Sequence, residues 1–221
     1  MSAPRNDVWT IVVAGGSGSR FGGLKQFAEL SGRRMVDWAV ATAAKASAGV
    51  VVVVPADVAK DPDFVAPAGA SAVVAGGSTR SESVRCGLAA VPDDATVICV
   101  HDAARPFATE ELFATVIRAV NGAVDAAIPG IEVADTVKVV DATGRVVSTP
   151  DRSHLRAVQT PQAFRADALR AAHAAGGEAT DDAAVVEANG GIVVVVQGEL
   201  DNRKITGPAD LEWARRLVVA E

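Results

Sequence analysis

Apolar β-branched runs alternate along this chain with stretches in which apolar residues recur at helical spacing. The strand candidates are Val8–Val13, Val50–Val54, Ser71–Val74, Thr96–Val100, Ala123–Ile128 and Ile192–Val196. Val50 to Val54 is an unbroken run of valines, which suits a strand buried on both faces. Helix candidates lie between the strands: Met35–Lys45, Ser81–Ala90, Glu110–Asn121, Ala166–Ala175, Asp182–Asn189 and Ala209–Val219. Strand followed by helix, repeated, predicts an α/β fold with a largely parallel sheet. Thr109 before Glu110 and Glu111 reads as an N-cap with acids in the first turn, and Pro208 suits the first turn of the last helix.

One segment departs from the alternation. Asp135–Val140 and Arg145–Ser148 flank Asp141-Ala142-Thr143-Gly144, a hairpin pattern in which Gly144 supplies the positive φ. Its faces alternate only partly and its tip is polar. Such a hairpin either projects as an arm or packs on its own subunit, and the pattern leaves both open.

The composition narrows the class of protein. The 221 residues suffice for a self-supporting core, and no apolar run approaches the ~20 residues of a membrane span. The first residues lack the apolar core of a signal peptide, so a cytoplasmic location is expected. A net charge of −6 without a basic block argues against nucleic-acid binding. Cys86 and Cys99 stand far apart in apolar settings and read as buried core thiols, and His101, His154 and His173 show no metal spacing. Cysteine or histidine nucleophilic catalysis is therefore not expected.

The first strand runs into Ala14-Gly15-Gly16-Ser17-Gly18-Ser19-Arg20, with Lys25 close behind. Glycines permit close backbone approach, and exposed N–H groups in such a loop cradle anions. Arg20 and Lys25 add full positive charge, so a polyphosphate is the natural occupant. The loop is neither a dinucleotide fingerprint, since Phe21 stands where the third glycine belongs, nor a P-loop, since Lys25 lies beyond Gly22 and precedes Gln26. The plainer alternative is a glycine-rich turn with two solvated cations.

Other strand ends carry unusual clusters, and open α/β sheets bind ligands beyond the carboxyl ends of their strands. Ala75-Gly76-Gly77-Ser78-Thr79-Arg80-Ser81-Glu82-Ser83 offers close backbone approach and hydroxyl donors for a base or sugar, or else a helix cap at Ser81. In His101-Asp102-Ala103-Ala104-Arg105-Pro106, Asp102 suits a ribose hydroxyl or a metal ion, unless it simply pairs with Arg105. Arg152, Gln159-Thr160-Pro161-Gln162, Thr180-Asp181-Asp182 and Lys204 lie in polar stretches. Thr180-Asp181-Asp182 reads as an N-cap or a phosphate-hydroxyl site, and Lys204 as a functional or a solvated cation. Arg20, Lys25, Arg105, Arg152 and Lys204 together suit nucleotidyl or phosphoryl transfer, in which catalysis is mostly positioning and charge stabilisation.

In this order the stretches Ala14–Arg20, Gly76–Arg80, His101–Pro106, Gln159–Gln162 and Asp201–Thr206 resemble the 2-C-methyl-D-erythritol 4-phosphate cytidylyltransferase family, from about Val8 to the last helix. The resemblance implies a Rossmann-like, mostly parallel sheet flanked by helices, with a projecting β-hairpin dimerisation arm. Residues 1–221 are then one nucleotidyltransferase domain with the arm at about 132–155. The implied reaction joins CTP to methylerythritol phosphate with loss of pyrophosphate, assisted by Mg2+ held mainly by CTP phosphates rather than by protein ligands. Arg20, Lys25 and Lys204 match the family's catalytic cations. Ala14, Gly15, Gly16, Gly18, Gly77, Ser78, Ser83, Asp102 and Ala103 match its CTP contacts. Asp102, Arg105, Thr136, Arg152, Thr160, Thr180 and Lys204 match its contacts to the polyol phosphate. Thr136 and Arg152 would serve the partner's site in a homodimer.

Two positions depart from the family pattern. The Arg20-to-Lys25 spacing is shorter than in many members, with Leu24 where a proline often precedes the lysine, and Ser78 occupies a position that is acidic in some. The nearest alternative is a sister cytidylyltransferase acting on ribitol 5-phosphate. A nicotinamide oxidoreductase lacks its third glycine here, and a catalytically dead nucleotide binder has less need of Arg20, Lys25 and Lys204.

Overall fold

The computed structural model describes residues 5–16 and 23–219. Its elements run β1 (Arg5–Val13), β2 (Glu29–Leu30), β3 (Arg33–Arg34), α1 (Met35–Ala46), β4 (Ser47–Val54), α2 (Ala56–Lys60), β5 (Ala72–Ala75), α3 (Arg80–Leu88), β6 (Val97–Asp102) and α4 (Glu110–Ala119). They continue with β7 (Ala126–Glu132), β8 (Val139–Val140), β9 (Val146–Ser148), β10 (Arg156–Val158), β11 (Gln162–Arg165), α5 (Ala166–Ala174), α6 (Asp182–Ala188), β12 (Val193–Gln197) and α7 (Pro208–Val219).

The main sheet has eight strands, and β5, β4, β1 and β6 lie side by side in parallel. Antiparallel β11 follows β6 and separates it from β7. β7 pairs with β11 and then β10 on one side and, in parallel, with β12 on the other. The expected mostly parallel sheet is thus present with an antiparallel insertion. The four residues of β11 are too few and too mixed to announce a strand; their pairing with β6 and β7 makes them one. The β2–β3 pair, α2 and β10 also lie outside the expected set.

Helices cover both faces. Val50, Val52 and Val54 of β4 pack with Val8 and Val12 against Val36 and Val40 of α1 and Leu112 and Phe113 of α4. Val51 and Val53 point the other way, with Ile11, toward Val84 of α3 and into the apolar layer that also holds Leu169 of α5 and Val185 of α6. The valine run is therefore buried on both faces, and each side chain contributes about 1.5–3 kcal/mol relative to exposure. A third cluster of Leu30, Met35, Ile205, Leu211 and Ala214 docks α7 beside β2. Gly87 lets α3 lie close to the sheet, because a Cβ there would sit 2.6 Å from Ile11 Cγ2.

Thr109 caps α4 as expected, its hydroxyl accepting from Leu112 N–H at 3.0 Å. The cap of α3 is Thr79 rather than Ser81. Thr79 has the extended backbone of a cap and accepts from Glu82 N–H, while the Glu82 carboxylate accepts back from Thr79 N–H. Ser81 is already inside the helix. Cys99 is a buried core thiol, but Cys86 is only half-buried. The hairpin forms with Gly144 at φ 83°, and its strands β8 and β9 make a separate two-stranded sheet. Val139, Val140, Val146 and Val147 are all exposed, so the hairpin stands off the body rather than packing on it.

Candidate active site

β1 and β6 are neighbours whose chains depart toward opposite halves of the sheet, and the crevice opens where they part. Val13 pairs with Asp102 at this edge. Ala14 N–H donates to Val53 O at 2.7 Å and Ala103 N–H to Val13 O at 3.0 Å, so both loops leave from fixed points. A cavity of about 440 Å³ lies over Ala14, Gly15, Gly16, Lys25, Gly77, Ser78, Ser83 and Ala103. A second, of about 200 Å³, adjoins it and is lined by Arg105, Gln159, Thr160, Gln162, Thr180 and Asp181. Arg80, Asp102 and Lys204 line both.

The fold thus brings most of the candidate residues to one crevice. Gly18 and Arg20 lie outside the described residues. Thr136 and Arg152 line neither cavity; both are exposed, on either side of the β8–β9 hairpin, and the Arg152 guanidinium donates to Ala134 O.

Local chemistry explains how the walls are held. Gln26 is buried and donates through Nε2 to Ala14 O at 2.6 Å and Gly16 O at 3.0 Å, which pins the start of the glycine loop. Lys25 Nζ donates to Ile205 O at 2.9 Å, tying that loop to the segment that carries Lys204. Ser83 sits between two strand ends: a Cβ on Gly15 would lie 3.2 Å, and one on Gly76 2.7 Å, from its Oγ. Glycine at both positions lets the loops after β1 and β5 close on one hydroxyl.

The charges form a chain. Lys204 Nζ lies 2.5 Å from Asp102 Oδ2, and Arg80 Nη2 lies 3.5 Å from Asp102 Oδ1. Arg80 Nη1 reaches Asp182 Oδ2 at 2.7 Å, and His173 Nε2 lies 3.0 Å from Asp182 Oδ1. Burial pushes the Asp102 carboxyl up, but Lys204 and Arg80 beside it outweigh that and hold it well below the usual carboxylate range. Arg105, which the sequence suggests as a partner of Asp102, instead donates to Asn202 O at 2.7 Å and Val158 O at 3.3 Å. Burial lowers its pKa and nearby Asp102 partly restores it. Lys204 is ion-paired rather than merely solvated.

Behind Asp102 runs a neutral relay. Asp102 N–H donates to Thr160 Oγ1 at 3.0 Å, which leaves the Thr160 hydroxyl to donate to His101 Nδ1 at 3.0 Å. His101 Nε2 then donates to Arg105 O at 3.2 Å, a tautomer assigned from this network. Burial lowers the His101 pKa to about 4, so the ring is neutral near pH 7. Asn202 donates to Thr160 O at 2.9 Å, and Gln159 donates to Glu199 O at 2.7 Å, joining the strand segment around Thr160 to the loop before Lys204.

Arg80, Asp182 and Gln26 belong to this assembly without standing among the candidates. Arg80 closes the Gly76–Arg80 motif, but its partners Asp102 and Asp182 are distant in the chain. Gln26 follows a candidate lysine, and burial of a polar amide is not visible in a string of letters. Asp181 caps α6, accepting from Ala184 N–H at 3.0 Å, and the preceding Thr180 lines the second cavity. Burial raises the Cys99 thiol to about 12 and keeps it unreactive. Among the described residues no group of three acidic, histidine or cysteine side chains is placed to hold a metal.

Known proteins resemble this chain in sequence and in fold. The family model described as IspD, 2-C-methyl-D-erythritol 4-phosphate cytidylyltransferase, matches residues 8–220. The chain is 45% identical over 223 residues to the 2-C-methyl-D-erythritol 4-phosphate cytidylyltransferase of Rhodococcus jostii (strain RHA1), covering 99% of this chain and 98% of that one. Its fold is similar to the 4-diphosphocytidyl-2C-methyl-D-erythritol synthase of Anaerococcus prevotii DSM 20548, with a TM-score of 0.82 and 31% identity over 96% of this chain and 98% of that one. It is likewise similar to the 2-C-methyl-D-erythritol 4-phosphate cytidylyltransferase of Thermus thermophilus, with a TM-score of 0.78 and 34% identity over 95% of this chain and 98% of that one.

Proposed function

Because this chain belongs to the 2-C-methyl-D-erythritol 4-phosphate cytidylyltransferase family, we propose that it converts CTP and 2-C-methyl-D-erythritol 4-phosphate to 4-diphosphocytidyl-2-C-methyl-D-erythritol and pyrophosphate, a step of non-mevalonate isoprenoid biosynthesis. The observation that carries this reading is the shared wall: Asp102 and Lys204 face both the glycine-lined cavity and the cavity of Arg105, Thr160 and Thr180. Two substrates placed in adjoining cavities meet there.

In this reading CTP lies over Ala14–Gly16 with its base toward Gly77, Ser78 and Ser83, and the polyol phosphate lies toward Arg105, Thr160 and Thr180. A phosphate oxygen of the polyol forms a bond to the α-phosphorus of CTP while the bond from that phosphorus to the bridging oxygen breaks, and the electron pair leaves with pyrophosphate. Lys25, Lys204 and Arg20 stabilise the negative charge that grows on the phosphorus oxygens and the leaving group. Asp102 stays ionised and accepts hydrogen bonds from substrate hydroxyls rather than protons. The donor set suits Mg2+ carried on the nucleotide, since Asp102 offers a hard carboxylate oxygen at the boundary but already holds two cations. When bound, Mg2+ neutralises triphosphate charge.

The protein acts as one nucleotidyltransferase domain whose arm, at about 132–155, reaches across a homodimer and brings Thr136 and Arg152 to the partner's second cavity. The exposed valines of β8 and β9 support this, because an isolated two-stranded hairpin is marginal in water and an apolar exposed patch marks an interface. As a user of CTP the enzyme works in the cytoplasm; none of the described helices is long and apolar enough to cross a membrane. The family match does not favour ribitol 5-phosphate as acceptor. Pyrophosphate release with CTP and Mg2+ tests the choice directly. Turnover with methylerythritol phosphate and not with ribitol 5-phosphate is expected, and the reverse would move the protein to the sister activity.

A further inference from the structure

Arg80 is the third residue of the wall common to both cavities. It is the first residue of α3, where the positive end of the helix dipole disfavours a cation. Its side chain is only 24% exposed, so it has also lost much of its hydration. Asp182 and Asp102 offset those costs, at 2.7 and 3.5 Å from its two terminal nitrogens. Asp182 is fully buried and is steadied in turn by His173.

A buried ion pair contributes little net stability to a fold, since desolvation consumes most of the attraction. Joining α3 to α6 could be done by apolar packing, as it is between their neighbours. The geometry makes sense instead for Asp102. One carboxylate oxygen holds Lys204 and the other faces Arg80, so two cations from separate chain segments set the plane of the carboxylate. Arginine suits this task because its rigid fork spans two carboxylates, whereas a lysine ammonium is a single point of charge.

We propose that Arg80 is a positioning residue for the transfer: anchored on Asp182, it fixes the Asp102 carboxylate, and through it Lys204, at the boundary between the nucleotide and polyol-phosphate cavities. This rests on the cytidylyl-transfer reading, and wild-type protein that releases no pyrophosphate from CTP and methylerythritol phosphate would sink that reading before any variant is made.

With active wild type in hand, the test is steady-state kinetics of Arg80→Gln, Arg80→Lys and, as a control for loss of surface charge, Arg118→Gln on α4. Arg80→Gln is expected to lower kcat by about 10–100-fold, the scale of a small misplacement of reacting groups, while KM for CTP changes less than about threefold. Arg80→Lys should fall between Arg80→Gln and wild type, and Arg118→Gln should match wild type. A kcat within twofold of wild type overturns the proposal, as does a rise in KM with kcat unchanged. If Arg80→Gln does not yield folded protein, Arg80→Lys decides by the same criteria.

Discussion

Lys204 Nζ rests 2.5 Å from Asp102 Oδ2, although 102 positions separate the two residues in the chain. Asp102 closes β6 and Lys204 follows β12, so only the folded sheet makes them neighbours. The Lys204 side chain is 42% exposed, but that of Asp102 is only 11% exposed and keeps its charge with Lys204 and Arg80 beside it. Lys204→Ala should therefore lower the urea midpoint, though less than loss of a fully buried pair because Arg80 remains, while lowering kcat by roughly 10²–10³-fold. A variant with wild-type turnover would remove Lys204 from the chemistry.

Arg152 and Thr136 flank the β8–β9 hairpin and line neither cavity of their own chain. In a homodimer with crossed arms, Arg152→Ala should raise KM for the polyol phosphate while KM for CTP holds. Mixing Arg152→Ala with Lys204→Ala subunits should then restore activity at low polyol phosphate, because each mixed dimer carries one site free of both substitutions. No gain on mixing, or an active monomer in sedimentation at assay concentration, would place the arm outside the site. Val140→Glu with Val147→Glu should weaken the dimer, which sedimentation reads directly.

Gln26 holds the glycine loop through two donated bonds. Gln26→Ala leaves Ala14 O and Gly16 O without that donor and should cost about 1–3 kcal/mol in chemical unfolding. CTP should also bind more weakly, since the cradle loses its fixed start. Unchanged calorimetric affinity for CTP would show that the loop is held by other means.

His101 makes stability depend on pH in the mildly acid range. Its folded pKa is about 4 and its unfolded value is ordinary, near 6.5. Between those values the unfolded chain binds the extra proton, so stability is full above about pH 6.5 and falls as pH drops toward 4. The whole effect is on the order of 3 kcal/mol. Asp102 adds a separate loss at lower pH: its folded pKa is depressed, so its contribution is present above the ordinary carboxylate value and disappears as pH falls through that value and below. Unfolding at pH 7 and pH 5 should show the His101 loss in wild type and a smaller one in His101→Gln. Equal losses in both would assign the pH dependence to another group.

Much of this molecule was legible because its strongest signals are local. The valines of β4 read as a doubly buried strand, since a short unbroken run of β-branched apolar side chains favours a strand covered on both faces. Gly144 marked the hairpin because a tight turn needs its positive φ. Asp102, Lys25 and Lys204 stood out by their place after apolar strands, where a parallel sheet presents its ligand edge. β11 and the cap at Thr79 were less legible: a short mixed segment becomes a strand only between two others, and a hydroxyl caps only where the backbone is extended.

The sequence by itself determined the alternation of elements, the burial of their valines and the motifs that mark a cytidylyltransferase, because backbone preference and side-chain period act between near neighbours. Tertiary structure alone decided that Arg80 lies between Asp102 and Asp182, that Lys204 closes on Asp102, and that Gln26 turns inward to hold the glycine loop. Each of these joins residues whose distance is set by strand order and register. Charge and hydrogen-bond energies depend on that distance and on burial, neither of which spacing along the chain records.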